Sequence, residues 1–244
     1  MLFVLVLLRI RFFAMNRRFF TEMKKTILLF CFHLFAFAAI AQAPQPLRYY
    51  DRILEFHRQD SIQFPEKGQI LFIGSSSFTM WKKVNESFPG YKILNRAFGG
   101  STLSDLIAYR YDILYAYKPR QIVMYCGEND FGVKDSTLVQ TVVERFKTFY
   151  RLLRQQYPKV PFVYVSMKPS PAKLPVQHKL FAANNEIKRF LASQKRSVFV
   201  DVTKEMLQPD GTPNPELFLG DKLHMNAKGY AIWQKILQPY LKRH

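Results

Sequence analysis

The chain has 244 residues, of which 48% are hydrophobic and 16% aromatic, and its formal net charge is +18. This length and composition exclude a long disordered protein and fit one domain with a substantial core. The basic residues are dispersed, with no long Lys/Arg run and no aromatic RNA-binding signature, so we expect solvated faces and no nucleic-acid partner. An acidic glycan or an anionic membrane surface stays open as a partner of so basic a chain.

A targeting segment is predicted near the start of the chain. Lys24-Lys25 is followed by an apolar run over Ile27–Ala41, which ends in the small-x-small sequence Ala39–Ala41. This pattern is typical of a secretory signal peptide that is cleaved after Ala41. The alternative is a membrane anchor, but the run contains His33 and is shorter than the roughly 20 residues that span a bilayer. We therefore expect an exported protein, periplasmic or secreted, with no stable membrane span after cleavage.

These features divide the chain into three parts. Residues 1–22 are predicted to be an upstream extension, residues 23–41 the signal peptide, and residues 42–244 a single domain whose oligomeric state stays open. Cleavage removes six basic side chains and one acidic one, which lowers the net charge from +18 to +13. Cys31 leaves with the signal peptide, so Cys126 remains alone, and we expect it to be a small buried residue rather than a nucleophile.

Short apolar segments alternate with longer amphipathic ones along the rest of the chain. Five short segments rich in β-branched and aromatic residues are predicted strands, buried on both faces: Ile70–Ile73, Tyr91–Leu94, Gln121–Tyr125, Pro161–Ser166 and Ser197–Val200. Helical spacing of apolar residues predicts four helices: Leu47–His57, Ser136–Tyr157, Leu180–Phe190 and Tyr230–Tyr240. The alternation predicts an α/β domain with a parallel sheet covered on both faces.

Four polar motifs interrupt this pattern, and three of them follow predicted strands. The motifs are Gly74–Ser77, Phe98–Gly100, Gly127–Asp130 and Asp221–His224. Because ligands bind beyond the carboxyl ends of parallel strands, we expect the first three motifs to gather at one edge of the sheet.

Each motif has a chemical use and a simpler alternative. A serine at the turn between a strand and a helix can act as a nucleophile, but it can also cap the helix or belong to the phosphate loop of a flavodoxin-like protein. Paired glycines let the backbone approach a ligand, or form a plain turn. An Asn side chain can stabilise an oxyanion or cap a turn, and the flanking Glu128 and Asp130 make a metal site conceivable. An Asp-x-x-His pair supplies a base with its carboxylate, or arises by chance.

In this order the motifs resemble the Gly-x-Ser, Gly, Gly-x-Asn-Asp and Asp-x-x-His blocks of the SGNH branch of the GDSL esterase/lipase family. The resemblance covers Ile70–Trp233 and implies a catalytic triad with an oxyanion hole. The implied triad is Ser76 as nucleophile with Asp221 and His224, and the implied oxyanion donors are Ser76, Gly100 and Asn129.

The family's fold implies a three-layer α/β/α, flavodoxin-like sandwich, here with a five-stranded parallel sheet. No metal or organic cofactor is implied by the resemblance. Ser75 is a departure, since the family's name motif has Asp at this position.

These features predict an exported serine ester hydrolase that acts through an acyl-enzyme on a small-molecule or glycan ester. Short acyl groups, including carbohydrate O-acetyl esters, are favoured. A non-catalytic carbohydrate-binding domain on the same fold and a flavin-binding electron carrier are the alternatives. We assign no role to Arg96, Glu128 and Lys168.

Overall fold

The computed structural model describes residues 48–132 and 136–243. The predicted upstream extension, the signal peptide and Cys31 lie outside these residues. Contacts between residues gather Tyr49–His244 into one unit. None of the helices in the described ranges has both the length and the apolar composition needed to cross a membrane.

A five-stranded parallel sheet forms the centre of the domain, as predicted. Its strands are β1 (Ile70–Gly74), β2 (Ile93–Asn95), β3 (Gln121–Tyr125), β4 (Phe162–Val165) and β5 (Ser197–Val200). Their order across the sheet is β2-β1-β3-β4-β5, and Ile70 pairs with Ile93 on one side and with Gln121 on the other. The strand order therefore reverses between β1 and β3, which is where ligands bind in open parallel sheets.

Helices cover both faces of this sheet. The described helices are α1 (Tyr50–Ile62), α2 (Ser76–Thr79), α3 (Val84–Ser87), α4 (Leu103–Ala108), α5 (Val139–Gln156), α6 (Gln177–Ala192) and α7 (Ala227–Leu237). A π-helical turn follows α4 over Tyr111–Tyr115. The four predicted helices are present as α1, α5, α6 and α7, with shifted bounds. α1 begins at Tyr50 because Tyr49 takes a left-handed backbone conformation, with a φ of 73°.

The side chains of the central strands alternate between two cores. Leu71 and Ile73 face a core shared with α1, α5 and α6, whereas Ile70 and Phe72 face a core shared with α2, α3 and α7. All four side chains are fully buried. The domain is therefore a three-layer α/β/α sandwich with the flavodoxin-like strand order, which confirms the predicted fold class.

Two strand predictions are wrong in detail. β2 begins at Ile93 and not at Tyr91, because the Tyr91 N–H donates to the Phe88 carbonyl oxygen (3.1 Å) and closes a turn before the strand. The sequence predicts burial of both faces of β5, but Val198 is 39% exposed and Ser197 is half-buried. β5 lies at the edge of the sheet and pairs with only one strand, β4.

Replacing Leu153 by Ala tests the packing of α5. Leu153 is fully buried, so its truncation should lower the free energy of unfolding by about 2–5 kcal/mol through lost burial and the cavity left behind. Leu54→Ala is the matched control, since Leu54 is exposed on α1 and its loss should change that free energy by less than about 1 kcal/mol. Urea unfolding followed by circular dichroism measures both variants, and equal losses would contradict the packing described above.

Candidate active site

The first motif forms a tight turn from β1 into α2. Gly74 has a φ of +135°, and a Cβ atom at this position would lie 1.8 Å from the Tyr125 carbonyl oxygen, so only glycine fits. The Ser75 N–H donates to the same oxygen (2.9 Å), and α2 begins at Ser76. Ser75 and Ser77 are buried, whereas Ser76 is half-buried. Ser76 is therefore the serine of this turn that solvent reaches.

The second motif packs on the first. The Phe98 N–H (2.9 Å) and the Ser101 hydroxyl (3.1 Å) both donate to the Gly74 carbonyl oxygen. A Cβ atom built on Gly99 would lie 3.8 Å from the Cβ atom of Ser76, which is an ordinary van der Waals distance. The glycine loop therefore lies directly against Ser76.

Gly100 lies at the turn of this loop. Its φ of +80° is in the left-handed region that favours glycine. Its carbonyl oxygen accepts a hydrogen bond from the Tyr49 hydroxyl (2.6 Å), which comes from the start of α1.

Asn129 joins the third motif to the first two. It lies in a 3-10 turn over Glu128–Asp130, directly after β3. Its side-chain Nδ2 donates to Ser75 Oγ (2.7 Å) and to the Ser101 carbonyl oxygen (3.1 Å). One amide group thus bonds to the first motif and to the residue that directly follows the second, which brings the three strand-end motifs together at one edge of the sheet.

A buried ion pair supports the turn that carries Asn129. The Glu128 carboxylate accepts hydrogen bonds from Lys168 Nζ (2.8 and 3.0 Å) and from the Tyr125 hydroxyl. Lys168 is only 1% exposed and Glu128 only 4%. Burial, followed by the Glu128 charge, raises the pKa of Tyr125 well above its usual value, so the phenol stays protonated and donates.

Asp130 holds the other end of the same turn. Its carboxylate accepts from the Leu103 N–H (2.9 Å) and from Arg145 Nη1 (3.0 Å). Burial raises the pKa of Asp130, and these two donors oppose that effect. Both carboxylates of the motif are therefore bonded to protein donors. Among the residues that the structure describes, no group of three or more His, Cys, Asp or Glu side chains could hold a metal ion.

The fourth motif forms a hydrogen-bonded turn, whose Lys222 carbonyl oxygen also accepts from the Ala172 N–H (3.0 Å). His224 Nδ1 and Asp221 Oδ2 are 2.6 Å apart, and Asp221 Oδ1 accepts from the backbone N–H groups of Leu223 and His224 (2.9 Å each). Lys222 takes a left-handed conformation between them, with a φ of 58°. The backbone and ring hydrogen bonds from His224, followed by the Leu223 N–H, lower the pKa of Asp221 to about 2. In this geometry a carboxylate can fix the tautomer of a histidine base.

α7 connects this turn to the serine turn that follows β1. It begins three residues after His224, and the Tyr230 hydroxyl on α7 donates to the Ser77 carbonyl oxygen (2.9 Å). Within the described residues the hydrogen bonds of His224 stay inside residues 219–224, and none joins it to Ser76. Hydrogen bonds between a nucleophile and its base often tighten only when substrate is bound.

Two further residues have structural contacts. Arg96 forms an ion pair with Asp60 and donates to the Tyr117 hydroxyl (2.7 Å), which ties the segment before the glycine loop to α1. Cys126 is fully buried, and burial raises the pKa of its thiol, which disfavours the reactive thiolate. The prediction of a small buried residue at position 126 is confirmed.

Three contacts of this site lie outside the motif reasoning: the Ser101 carbonyl, the Lys168 ammonium and the Tyr49 hydroxyl. Lys168 follows β4, so its place at a strand end was a usable signal in the sequence. Tyr49 lies 21 positions before the start of the first strand, and no pattern around it points to the site.

Comparison with known proteins identifies the family. A model of the GDSL-like Lipase/Acylhydrolase family matches residues 74–232, which is more than half of the chain and includes all four motifs. The chain belongs to this family. It is a carboxylic ester hydrolase of the GDSL type, and the resemblance drawn from the motifs is confirmed.

Solved structures share the fold of this GDSL hydrolase. A candidate platelet activating factor from Streptococcus pneumonia has a TM-score of 0.71 at 21% identity, covering 85% of this chain and 99% of that one. A GDSL-like lipase from Bacteroides thetaiotaomicron gives 0.65 at 19% identity, covering 77% and 96%. A catalytic mutant of an acetylxylan esterase from Geobacillus stearothermophilus gives 0.54 at 16% identity, covering 74% and 97%. At these identities the likeness shows the fold alone. A search of the curated proteins found no match.

The Asp221 carboxylate should titrate near pH 2. Because its pKa is lowered in the folded state, its contacts stabilise the fold above about pH 3.8, and this contribution is lost as the pH falls towards 2. NMR of the side-chain carboxyl carbon should show this midpoint. His224→Ala removes the ring donor but keeps the backbone donor, so it should move the midpoint part of the way back up. A midpoint near 3.8 in the unsubstituted protein would contradict the described turn.

Glu128→Gln should destabilise the protein strongly, because it leaves the buried Lys168 ammonium without its counter-charge. Breaking a buried pair in this way lowers the free energy of unfolding by about 3–5 kcal/mol. The control is Glu216→Gln, whose pair with Lys228 (2.9 Å) is solvent-exposed and worth about 0–1 kcal/mol. Chemical denaturation compares the two, and a small loss in both would mean that the ion pair does not support the Asn129 turn.

Proposed function

We propose that this hydrolase is an exported serine acylesterase that removes short acyl groups, acetyl foremost, from a carbohydrate ester. The proposal is supported by the groups that surround Ser76 and by the separate Asp221–His224 pair. A half-buried hydroxyl lies against a glycine loop, an amide donor reaches the adjacent serine, and a histidine is paired with a carboxylate. These are the groups that acyl transfer requires.

The first half of the reaction acylates Ser76. His224 Nε2 takes the proton from Ser76 Oγ as that oxygen attacks the carbonyl carbon of the ester. Asp221 Oδ2 accepts the hydrogen of His224 Nδ1, with 2.6 Å between the two heavy atoms. This leaves His224 Nε2 without a proton, so that it can act as the base. The bond between the acyl carbon and the alcohol oxygen then breaks, and His224 gives its proton to the departing oxygen.

The second half releases the acid. Water attacks the acyl carbon while His224 takes one of its protons. The bond from the acyl carbon to Ser76 Oγ breaks, and His224 returns the proton to Ser76. The free enzyme is restored, and the ester has been divided into an alcohol and a carboxylic acid.

Negative charge develops on the carbonyl oxygen in both halves. The donors assigned to it are the N–H groups of Ser76 and Gly100 and the Asn129 amide. The Asn129 amide is already directed at this corner of the site, since it donates to the residue that precedes the nucleophile. During the reaction it exchanges a neutral hydroxyl acceptor for a charged one, and hydrogen bonds to charged acceptors are roughly twice as strong.

Export and substrate class have separate support. The signal-peptide pattern over residues 23–41 supports export, and an exported esterase meets extracellular esters such as acetylated glycans. One of the solved structures with this fold is an acetylxylan esterase, which supports a carbohydrate acetyl ester. The basic balance of the chain favours an anionic substrate.

Nitrophenyl esters of increasing chain length test the reaction and the acyl preference together. The value of kcat/KM should be highest for the acetyl ester, and acetylated xylan oligosaccharides should release acetate. Ser76→Ala should reduce turnover to background and abolish labelling by a fluorophosphonate probe. Asn129→Ala should keep the nucleophile but lower kcat by about 100- to 1,000-fold.

Ser61→Ala is the control for these variants, because Ser61 is an exposed serine on α1 and its loss should leave turnover unchanged. Binding of acetylated glycans without hydrolysis would contradict the proposed esterase and favour the carbohydrate-binding domain. Flavin absorbance in the purified protein would favour the electron carrier instead. Mass spectrometry of the exported protein tests the predicted cleavage after Ala41, which should leave a mature chain that begins at Gln42.

A further inference from the structure

Tyr49 contacts the glycine loop at two points. Its hydroxyl donates to the Gly100 carbonyl oxygen at 2.6 Å, and its ring packs edge-on against Phe98, with 5.1 Å between centroids. Phe98 is fully buried, and its N–H is bonded to Gly74 at the end of β1. The tyrosine therefore touches the loop through one residue that is fixed to the sheet and through the glycine assigned to the oxyanion hole.

Gly100 is the residue of this loop that most needs an external contact. Glycine has the widest choice of backbone conformations, so its own chemistry does not fix the direction of its N–H or its carbonyl. The Tyr49 hydroxyl supplies this contact directly, since it donates to the Gly100 carbonyl oxygen at 2.6 Å. A donor that is held in place before the reaction stabilises an oxyanion better than one that must first be oriented.

The backbone of Tyr49 is itself strained. Its φ of 73° and ψ of 8° are in the left-handed region, which is a genuine outlier for a bulky residue. The N–H groups of Arg52 and Ile53 bond to its carbonyl oxygen, so the strained residue also begins α1. Strain of this kind persists only where the surroundings impose it, and it is concentrated at functional sites.

α1 holds the segment that leads into the loop at a second place. Asp60, near the other end of the helix, pairs with Arg96 and accepts a hydrogen bond from the Tyr117 hydroxyl (2.6 Å). Ile53 and Phe56 bury the face of α1 between these two contacts. α1 lies before residues 74–232, which the family model matches. It thus holds the short segment from Arg96 to Gly100 at both of its ends.

We infer that Tyr49 is a positioning residue of the oxyanion site. Its hydroxyl holds the peptide plane that follows Gly100, which limits the conformations of this glycine and so keeps the Gly100 N–H, in the preceding plane, directed at the developing oxyanion. The inference rests on the proposed function, because it assigns Tyr49 to the same site. Tyr49 itself makes no bond to the reacting atoms and acts through Gly100.

Tyr49→Phe removes the hydroxyl and keeps the ring on Phe98. It should lower kcat on the best acetyl ester by about 3- to 10-fold, the effect of one hydrogen bond, and leave KM within twofold. Binding of a trifluoromethyl ketone, which forms a tetrahedral oxyanion with a serine, should weaken by the same factor as kcat. Tyr50→Phe is the matched control, since Tyr50 is the next residue and its side chain is 48% exposed.

Hydrogen exchange at residues 99–101 gives a readout that does not depend on turnover, and it should be faster in Tyr49→Phe than in Tyr50→Phe. Equal kcat, ketone affinity and exchange in the two variants would overturn the inference. A lower melting temperature with unchanged kcat would also overturn it, because that result describes a purely structural tyrosine. Inactivity of the unsubstituted protein on every ester would instead overturn the proposed function, and the exchange rates would still decide whether Tyr49 fixes the loop.

Discussion

The close approach of β1 and β3 at Gly74 is the contact on which the site depends. The Tyr125 carbonyl oxygen occupies the space that a side chain at position 74 would need, and it accepts the Ser75 N–H as well. The Gly74 carbonyl in turn accepts from the Phe98 N–H and the Ser101 hydroxyl. One peptide unit therefore positions both the serine turn and the glycine loop, and neither loop could keep its place if the strands moved apart here.

The turn that carries the uncharged Asn129 is held in place by the carboxylates of its two neighbours, Glu128 and Asp130. Glu128 and Asp130 are both buried, and each is paired with a cation and a second donor. Burying ions is unfavourable, and well-formed partners only offset that penalty. The result is a fixed direction for a neutral amide. In the proposed reaction the Asn129 amide donates to a transient negative charge, and a donor of that kind is more effective when its direction is fixed beforehand.

The parts that the sequence predicts well are those set by local pattern. Strands buried on both faces read as apolar runs, so β1 and β3 were predicted almost to the residue, and the motifs at their ends followed. The Asp221–His224 pair is predictable because the partners are three positions apart and one turn holds both.

The parts that the sequence does not predict depend on contacts between distant segments. The start of β2 is set by a turn at Phe88, and the exposure of β5 follows from its place at the edge of the sheet. The hydrogen bond from Tyr49 to Gly100 joins residues that are 51 positions apart. The sequence around neither residue predicts this contact. The choice of Ser76 among three consecutive serines rested on family motif spacing, and the structure adds that it is the one that solvent reaches.

The hydroxyl of Ser75 affects how readily the Asn129 amide can exchange one hydrogen-bond acceptor for another. In the family's name motif this position is an aspartate, and a carboxylate would hold the Asn129 amide with a charge-assisted bond. A neutral hydroxyl competes more weakly for the same hydrogen. In the proposed reaction, Ser75 keeps the Asn129 amide aligned before substrate binds, and it gives up that hydrogen to the developing oxyanion more readily than an aspartate would.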